Sequence, residues 1–288
     1  MPELPEVETV ASELTQVLKN KKVKAVKVHE PKTVNFLVRD FEKKLKNKII
    51  KKVWRRAKLL VIEFEEGLYI AAHLKMTGQF LYQSNNNKLT GGGHPEDFYL
   101  QKIPSKFTRV EFALTDGSHL YFNDIRKFGW LKLFSKKDLE EFLKNMQYGP
   151  EPLEKDFTAE YLFEKIKNRN VPIKPLLMDQ KLIAGIGNIY AAEVLFKAGI
   201  DPQKKANVLT KIEVKKIYQA IVSILKLAVK YKGTTADNFA DIFGQAGNYI
   251  KKLKVYGRKD QSCLVCGSKL KEIKQAQRTT VFCPKCQR

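Results

Sequence analysis

The sequence of 288 residues lacks any long apolar run, which excludes an ordinary transmembrane helix. It also lacks a basic amphipathic helix with a free apolar face, so we expect no membrane partner. The N-terminus is acidic and has no apolar signal segment, which predicts a cytoplasmic protein. Internal repeats and low-complexity tracts are absent too, and a folded chain of this length is expected to form two domains.

Acidic residues are scarce: 31 Asp and Glu stand against 53 Lys and Arg, a formal net charge of +22. This excess favours a polyanionic partner, and without a membrane-binding segment we expect that partner to be nucleic acid. The protein would then associate with the nucleoid. The alternative, that much of the lysine is solvated surface, stays open on composition alone.

Cysteine is rare and confined to the C-terminal end. The four cysteines have the spacing C-x2-C-x16-C-x2-C and are Cys263, Cys266, Cys283 and Cys286. In a reduced compartment this spacing is typical of four thiolates around one structural zinc ion, with disulfides and free thiols as the alternatives. The segments 269–274 and 278–282 between them are expected to form a hairpin that needs the metal to fold.

The first eight residues combine prolines with several carboxylates. If the initiator methionine is removed, Pro2 carries a secondary amine. An α-amino group titrates at about 8, so part of the population is nucleophilic at neutral pH. Pro5 and Glu6 suit the start of a helix, which would place Glu3 and Glu6 beside the amine as candidate acids or bases. An ordinary capped helix start has the same local pattern.

The remaining chain changes its periodicity once. Short alternating or β-branched segments predict strands at 23–28, 59–64, 68–74, 109–114, 120–123 and 131–134. From residue 135 onward the apolar spacing becomes helical, with a capping box at Thr210 and Glu213. We therefore predict an α+β protein with a leading helix, an N-terminal β-sandwich, a helical region and a C-terminal hairpin.

Two further stretches suggest anion contacts. The glycines of Gly185-Ile186-Gly187 allow close backbone approach, and Asn188 is expected to begin a helix whose N-terminal amides face a phosphate. A tight turn between two helices would look the same. Lys58 ends a basic stretch and directly precedes an apolar strand, so its ammonium is expected at the mouth of the core.

Several of these stretches carry a family resemblance. Residues 2–10, PELPEVETV, resemble the N-terminus of formamidopyrimidine-DNA glycosylase, a bacterial repair enzyme that excises oxidised purines. Endonuclease VIII, the sister family, typically has Gly where this chain has Leu4. Similar matches occur in 55–58, 73–78, 123–129, 185–190, 233–235 and 274–279, so the resemblance covers essentially the whole chain.

The resemblance implies a bifunctional DNA glycosylase and abasic-site lyase with four catalytic residues. Pro2 would attack C1′ to form a Schiff base, and Glu3 would act as general acid. Glu6 would position the N-terminus or a water, and Lys58 would touch the phosphate near the lesion and assist β,δ-elimination. The implied partner is double-stranded DNA containing oxidised purines or abasic sites, bound by a monomer.

The resemblance also implies a set of DNA contacts. The phosphate ligands would be His73, Asn188 and Arg278. Three side chains would fill the void left by the flipped nucleotide, namely Met76, Arg126 and Phe128; on the residues alone, Met76 and Phe128 look like core. The implied organisation is a catalytic β-sandwich domain at 1–147, a linker at 148–155, a helix-two-turn-helix region at 156–235, and a lesion-capping loop with the zinc finger at 236–288.

Some positions depart from the family pattern. Ile125 replaces a usual Pro, Lys127 a usual Arg, and Phe107 and Arg109 stand where histidines are common. The loop 236–238 has an acid where a basic residue is frequent, which leaves lesion preference open. The competing hypotheses are an endonuclease VIII-type enzyme, a non-catalytic lesion sensor and, more remotely, a zinc-ribbon transcription factor.

Overall fold

The computed structural model describes residues 1–86, 103–234 and 247–288, together with the backbone of 89–90. These residues form two compact units. The first contains Met1–Asn145 and Lys232–Asn248, and the second contains Met146–Tyr231 and Tyr249–Arg288. The predicted lid residues Ala236, Asp237 and Asn238 lie outside the described ranges.

The first unit is a β-sandwich with a leading helix. Its elements are α1 (Leu4–Leu18), β1 (Val23–Val28), α2 (Val38–Leu45), β2 (Ile50–Arg56), β3 (Leu59–Phe64), β4 (Leu68–His73), β5 (Gly78–Gln83), β6 (Leu89–Thr90), β7 (Thr108–Leu114), β8 (His119–Asp124), β9 (Trp130–Ser135) and α3 (Lys136–Asn145). The strands form two antiparallel sheets, one in the order β1-β7-β8-β5-β6 and the other in the order β2-β3-β4-β9.

One apolar core joins the two sheets and α1. It contains the helix stripe of α1, represented by Leu14, and inward-facing strand residues such as Leu60 and Phe112. Because α1 packs on β2 and β3, its first turn is held against the sandwich. The burial of this stripe explains why a 15-residue helix with an acidic start is stable at the beginning of the chain.

The second unit is helical and ends in a hairpin. Its elements are α4 (Ala159–Ile166), α5 (Ile173–Leu177), α6 (Asn188–Ala198), α7 (Lys211–Lys230), β10 (Lys271–Gln275) and β11 (Arg278–Phe282). The predicted capping box of Thr210 and Glu213 begins α7. The hairpin turns at Ala276 and Gln277, both with positive φ, as a two-residue turn with a right-handed twist requires.

The predicted fold class is confirmed, and the six predicted strands are present with ends within one residue of the prediction. Four elements of the first unit were not predicted, namely α2, β2, β5 and β6. In α2 only Phe41 and Leu45 are buried, so its apolar signal is too sparse to stand out among charged residues. None of the helices in the described part of the chain is long and apolar enough to cross a membrane.

Candidate functional site

The start of α1 is held by two carboxylates that cap each other's backbone. The Glu3 side chain accepts a hydrogen bond from the Glu6 N–H, and Glu6 Oε2 accepts one from the Glu3 N–H at 2.8 Å. Both side chains are buried, so the backbone amides supply hydrogen bonds that water cannot. Pro2 is half-buried and directly precedes Glu3 in the chain, so its nitrogen is close to the first of the two carboxylate residues.

The other oxygen of Glu6 connects α1 to a distant segment. Glu6 Oε1 accepts a hydrogen bond from the backbone N–H of Thr234 at 2.7 Å. Gly233 has a φ of +78°, and a Cβ placed there would lie 2.6 Å from Glu6 Oε1. Glycine is therefore required at 233 both by its left-handed backbone and by the approach of the carboxylate.

Lys58 and His73 lie at neighbouring strand ends. Lys58 follows Ala57 in the turn between β2 and β3, and its side chain is buried. Leu59, the next residue, pairs with His73 across β3 and β4. The two sequence-predicted phosphate ligands of this unit are thus brought together at one end of the four-stranded sheet.

His73 is a neutral hydrogen-bond donor in this setting. Burial, followed by the positive charges of Lys75 and Lys58, lowers the pKa of His73 from 6.5 to about 3. The backbone N–H of Lys75 donates to Nδ1 at 3.0 Å, so the single ring proton is on Nε2. The imidazole can therefore donate to a phosphate without carrying a charge.

Three predicted void-filling residues lie on the surface instead of in the core. The exposed fractions of Met76 and Phe128 are 45% and 55%, although most large apolar side chains in the described residues are buried. The Arg126 guanidinium lies 4.9 Å from the centre of the Phe128 ring. The core interpretation of Met76 and Phe128 is therefore wrong, and exposed apolar side chains beside a cation are suited to stacking against bases.

Two departures from the family pattern have structural partners. Arg109 is buried and donates from Nε to the backbone carbonyl of Asp124 at 2.7 Å, so it supports the turn that follows β8. Lys127 forms an ion pair with Glu30 at 2.6 Å. The hydrogen bond from the Lys127 ammonium is the main cause that lowers the pKa of Glu30.

In the second unit, Asn188 is oriented by a buried lysine. The Asn188 Oδ1 accepts a hydrogen bond from Lys174 Nζ at 2.6 Å, and its Nδ2 donates to the Thr279 carbonyl at 3.1 Å. Lys174 Nζ also donates to Thr280 Oγ1 at 2.7 Å. Asn188 at the first turn of α6 and Arg278 at the start of β11 are thereby brought together, since Arg278 immediately precedes Thr279.

Lys174 is a functional candidate that the sequence analysis missed. It is 1% exposed within a short helix whose neighbours Ile173, Leu176 and Leu177 are buried. The sequence signal for it was a lysine among apolar residues of a short helix, because a buried lysine needs hydrogen-bond partners in the interior.

The four cysteine sulfurs converge as the spacing predicted. They lie within 4.8 Å of one another, with Sγ–Sγ distances of 3.9 Å for Cys263–Cys286 and 3.4 Å for Cys266–Cys283. Tetrahedral zinc with Zn–S bonds of about 2.3 Å requires sulfurs roughly 3.8 Å apart. Backbone N–H groups donate to two of the sulfurs, Cys263 and Cys283, each at 3.4 Å, which orients these side chains. The donor set therefore fits one zinc ion.

Comparisons with known proteins cover most of the chain. Residues 1–131 match the formamidopyrimidine-DNA glycosylase N-terminal domain, 148–240 the H2TH domain of the same family, and 260–288 a zinc finger found in FPG and IleRS. With the cysteine cluster, the last match confirms the prediction of one structural zinc ion.

Individual relatives agree along their full lengths. A formamidopyrimidine-DNA glycosylase of Pelotomaculum thermopropionicum is 39% identical over 100% of this chain and 99% of its own. A mutant of the Lactococcus lactis FPG, bound to Fapy-dG-containing DNA, superposes with a TM-score of 0.89 at 32% identity, covering 99% of each chain. The L. lactis protein bound to abasic-site DNA gives a TM-score of 0.88 at the same identity and coverage.

Proposed function

The chain belongs to the formamidopyrimidine-DNA glycosylase family, and on that premise we propose that it is a bifunctional DNA glycosylase and abasic-site lyase. Its proposed substrates are 8-oxoguanine, formamidopyrimidines and abasic sites in duplex DNA. The structures of the L. lactis relative with Fapy-dG-containing DNA and with abasic-site DNA support this substrate class. The proposed acting form is a monomer in the cytoplasm.

The observation that carries the proposal is the carboxylate-capped N-terminus. Once Met1 is removed, the Pro2 amine attacks C1′, the damaged base leaves, and an iminium Schiff base forms. Glu3, next to that amine, protonates the sugar oxygen and later shuttles protons, while Glu6 fixes the N-terminal turn. Successive β- and δ-elimination then release both flanking phosphates.

The proposed phosphate ligands differ in charge, which affects how DNA binding responds to salt. Lys58 and Arg278 are cationic, whereas His73 and Asn188 donate as neutral groups. The zinc ion supports the hairpin that carries Arg278 and takes no part in the chemistry, since four thiolates leave no open coordination position.

The proposal is tested by borohydride trapping on a duplex with one 8-oxoguanine opposite cytosine. The wild-type protein should form a covalent adduct under borohydride and gapped product without it, whereas a form that retains Met1 should form neither. Glu3→Gln should slow excision by about a hundredfold or more. Glu8→Gln is the matched control, because Glu8 lies on the same helix and pairs with Arg55.

If the protein binds tightly but is neither trapped nor able to cleave, on this lesion or on an abasic site, the enzymatic hypothesis is wrong and the lesion-sensor hypothesis is favoured. Faster cleavage of an oxidised pyrimidine than of 8-oxoguanine would favour the endonuclease VIII-type alternative.

A further inference from the structure

Two surface turns carry the exposed void-filling residues. The first, here called the Met76 turn, is residues 74–78, and the second, the Arg126 turn, is residues 124–129. The Met76 turn leads into β5 and the Arg126 turn follows β8, and these strands are hydrogen-bonded neighbours. Both turns therefore leave the sheet at the same end.

A side-chain network joins the two turns. The Thr77 hydroxyl donates to Asp124 Oδ1, and the Arg126 backbone N–H donates to Thr77 Oγ1 at 3.1 Å and to Asp124 Oδ1 at 3.2 Å. Asp124 is 1% exposed, so its carboxylate is removed from water and depends on these donors. Hydrogen bonds to a desolvated carboxylate are among the strongest that proteins make.

The second oxygen of Asp124 holds the far end of the Arg126 turn. Gly129 N–H donates to Asp124 Oδ2 at 2.6 Å, and a Cβ at Gly129 would lie 3.0 Å from that oxygen and 2.8 Å from the Phe122 ring. The Asp124 backbone carbonyl is fixed by Arg109. One carboxylate thus spans the segment that presents Arg126 and Phe128.

The Met76 turn is itself tight. Gly78 N–H donates to the Leu74 carbonyl at 2.8 Å, and a Cβ at Gly78 would lie 2.5 Å from that carbonyl oxygen. The turn therefore has little freedom of its own, and Thr77 ties it to its neighbour.

We propose that Thr77 and Asp124 are positioning residues that lock the two turns into one rigid unit, so that Met76, Arg126 and Phe128 enter the DNA together. The inference rests on the proposed function, in which these side chains replace the flipped nucleotide. Joining the turns before binding lowers the entropy lost on insertion and fixes the Arg126 guanidinium for hydrogen bonding to the orphaned base. Opposite-base discrimination should therefore depend on the Thr77 hydroxyl, which is hydrogen-bonded within the protein to Asp124 and to the Arg126 N–H.

The decisive variant is Thr77→Val, which keeps the shape of the side chain and removes the hydroxyl. Thr77→Ser restores the hydroxyl, and Thr115→Val makes the same change on the exposed β7–β8 turn. Each protein is tested for single-turnover excision of 8-oxoguanine opposite cytosine and opposite adenine. Insertion is followed by the fluorescence of 2-aminopurine opposite a stable abasic analogue, and folding by thermal unfolding.

We expect Thr77→Val to slow excision opposite cytosine by about tenfold, to reduce the preference for cytosine over adenine, and to diminish the 2-aminopurine signal. Thr77→Ser and Thr115→Val should behave like the wild type in all three assays.

Wild-type discrimination and fluorescence in Thr77→Val would overturn the inference while leaving the proposed function intact. So would a slower rate accompanied by unchanged discrimination and a lowered unfolding temperature, because that pattern indicates a purely structural role. A wild-type protein that excises no lesion would instead refute the proposed function itself.

Discussion

Lys174 shows how one buried side chain can prepare a surface contact. Its ammonium donates to Asn188 Oδ1, and one Nδ2 hydrogen of Asn188 is donated to the Thr279 carbonyl, so a phosphate at the start of α6 would be met by the second Nδ2 hydrogen. Removing the ammonium leaves Asn188 and Thr280 without their charged donor, in a site too buried for free access of water.

We expect Lys174→Met to weaken binding to an abasic-analogue duplex by about tenfold. If Lys174 acts through Asn188, the double variant with Asn188→Ala should lose less affinity than the product of the two single losses. Fluorescence anisotropy at fixed salt measures each dissociation constant. Lys181→Met is the control, because it removes the same charge from an exposed position nearby. Strictly multiplicative losses would show that Lys174 does not act through Asn188.

The lowered pKa of His73 leads to a second prediction about a single residue. The unfolded chain takes up a proton near pH 6.5, whereas the folded chain does not until about pH 3, so the contribution of His73 to stability is complete above pH 6.5 and is lost as the pH falls towards 3. The Cε1–H resonance of His73 should therefore stay constant between about pH 5 and pH 8.

This resonance is assigned by its disappearance in His73→Gln, and free histidine in the same buffer is the reference that shifts over this range. If the His73 signal titrates near pH 6.5, the imidazole is charged at moderately acidic pH and the neutral-donor role is wrong.

At the scale of the elements, the segment after α7 contacts the start of α1. The left-handed backbone of Gly233 lets the next residue, Thr234, donate its N–H to the Glu6 carboxylate. Gly233→Ala places a methyl group 2.6 Å from Glu6 Oε1. The Glu6 carboxylate cannot move away freely, because the Thr234 N–H donates to Oε1 and the Glu3 N–H to Oε2. Gly67→Ala is a matched control, because Gly67 has a similar φ of +70° with nothing within 4 Å of the added Cβ.

Both substitutions should cost about 1 kcal/mol of stability for the left-handed backbone. Only Gly233→Ala should also slow excision, by about tenfold or more, because it displaces Glu6. Thermal unfolding and single-turnover excision measure the two effects. Equal excision rates in the two variants would show that the Glu6 contact with Thr234 has no part in activity.

At the scale of the whole molecule, the zinc site stabilises the C-terminal hairpin of the second unit. The hairpin β10–β11 rests on a small cluster that includes Phe196, Val255 and Leu270 together with the cysteines, which is too little apolar surface to fold without the metal. The first unit has its own core.

Removal of zinc by a chelator should therefore increase hydrogen exchange in 260–288 and abolish tight DNA binding, since Arg278 loses its position. Exchange in the strands of the first unit should stay unchanged. Mass-spectrometric hydrogen exchange with and without readded zinc provides the measurement. Unaltered exchange in the hairpin after metal loss would show that it folds without zinc.

Local features of this protein were predictable because their partners are close in the chain. The capping carboxylates Glu3 and Glu6 are three residues apart, as are Thr210 and Glu213, and the cysteine pairs follow a short fixed spacing. Strands with a short apolar run, such as β3, were equally clear. The sparse apolar pattern of α2 was not, because its two buried residues are outnumbered by charged ones.

The sequence by itself thus determined the fold class, the zinc ligands and the candidate residues of the N-terminus, since these depend on spacing within single segments. Only the tertiary structure decided that Glu6 meets Thr234, 228 residues away, that Lys174 meets Thr280 across 106 residues, and that Asp124 ties down Thr77. It also decided that Met76 and Phe128 are exposed. Such contacts depend on how packed elements bring distant backbone together, and no local periodicity encodes that distance.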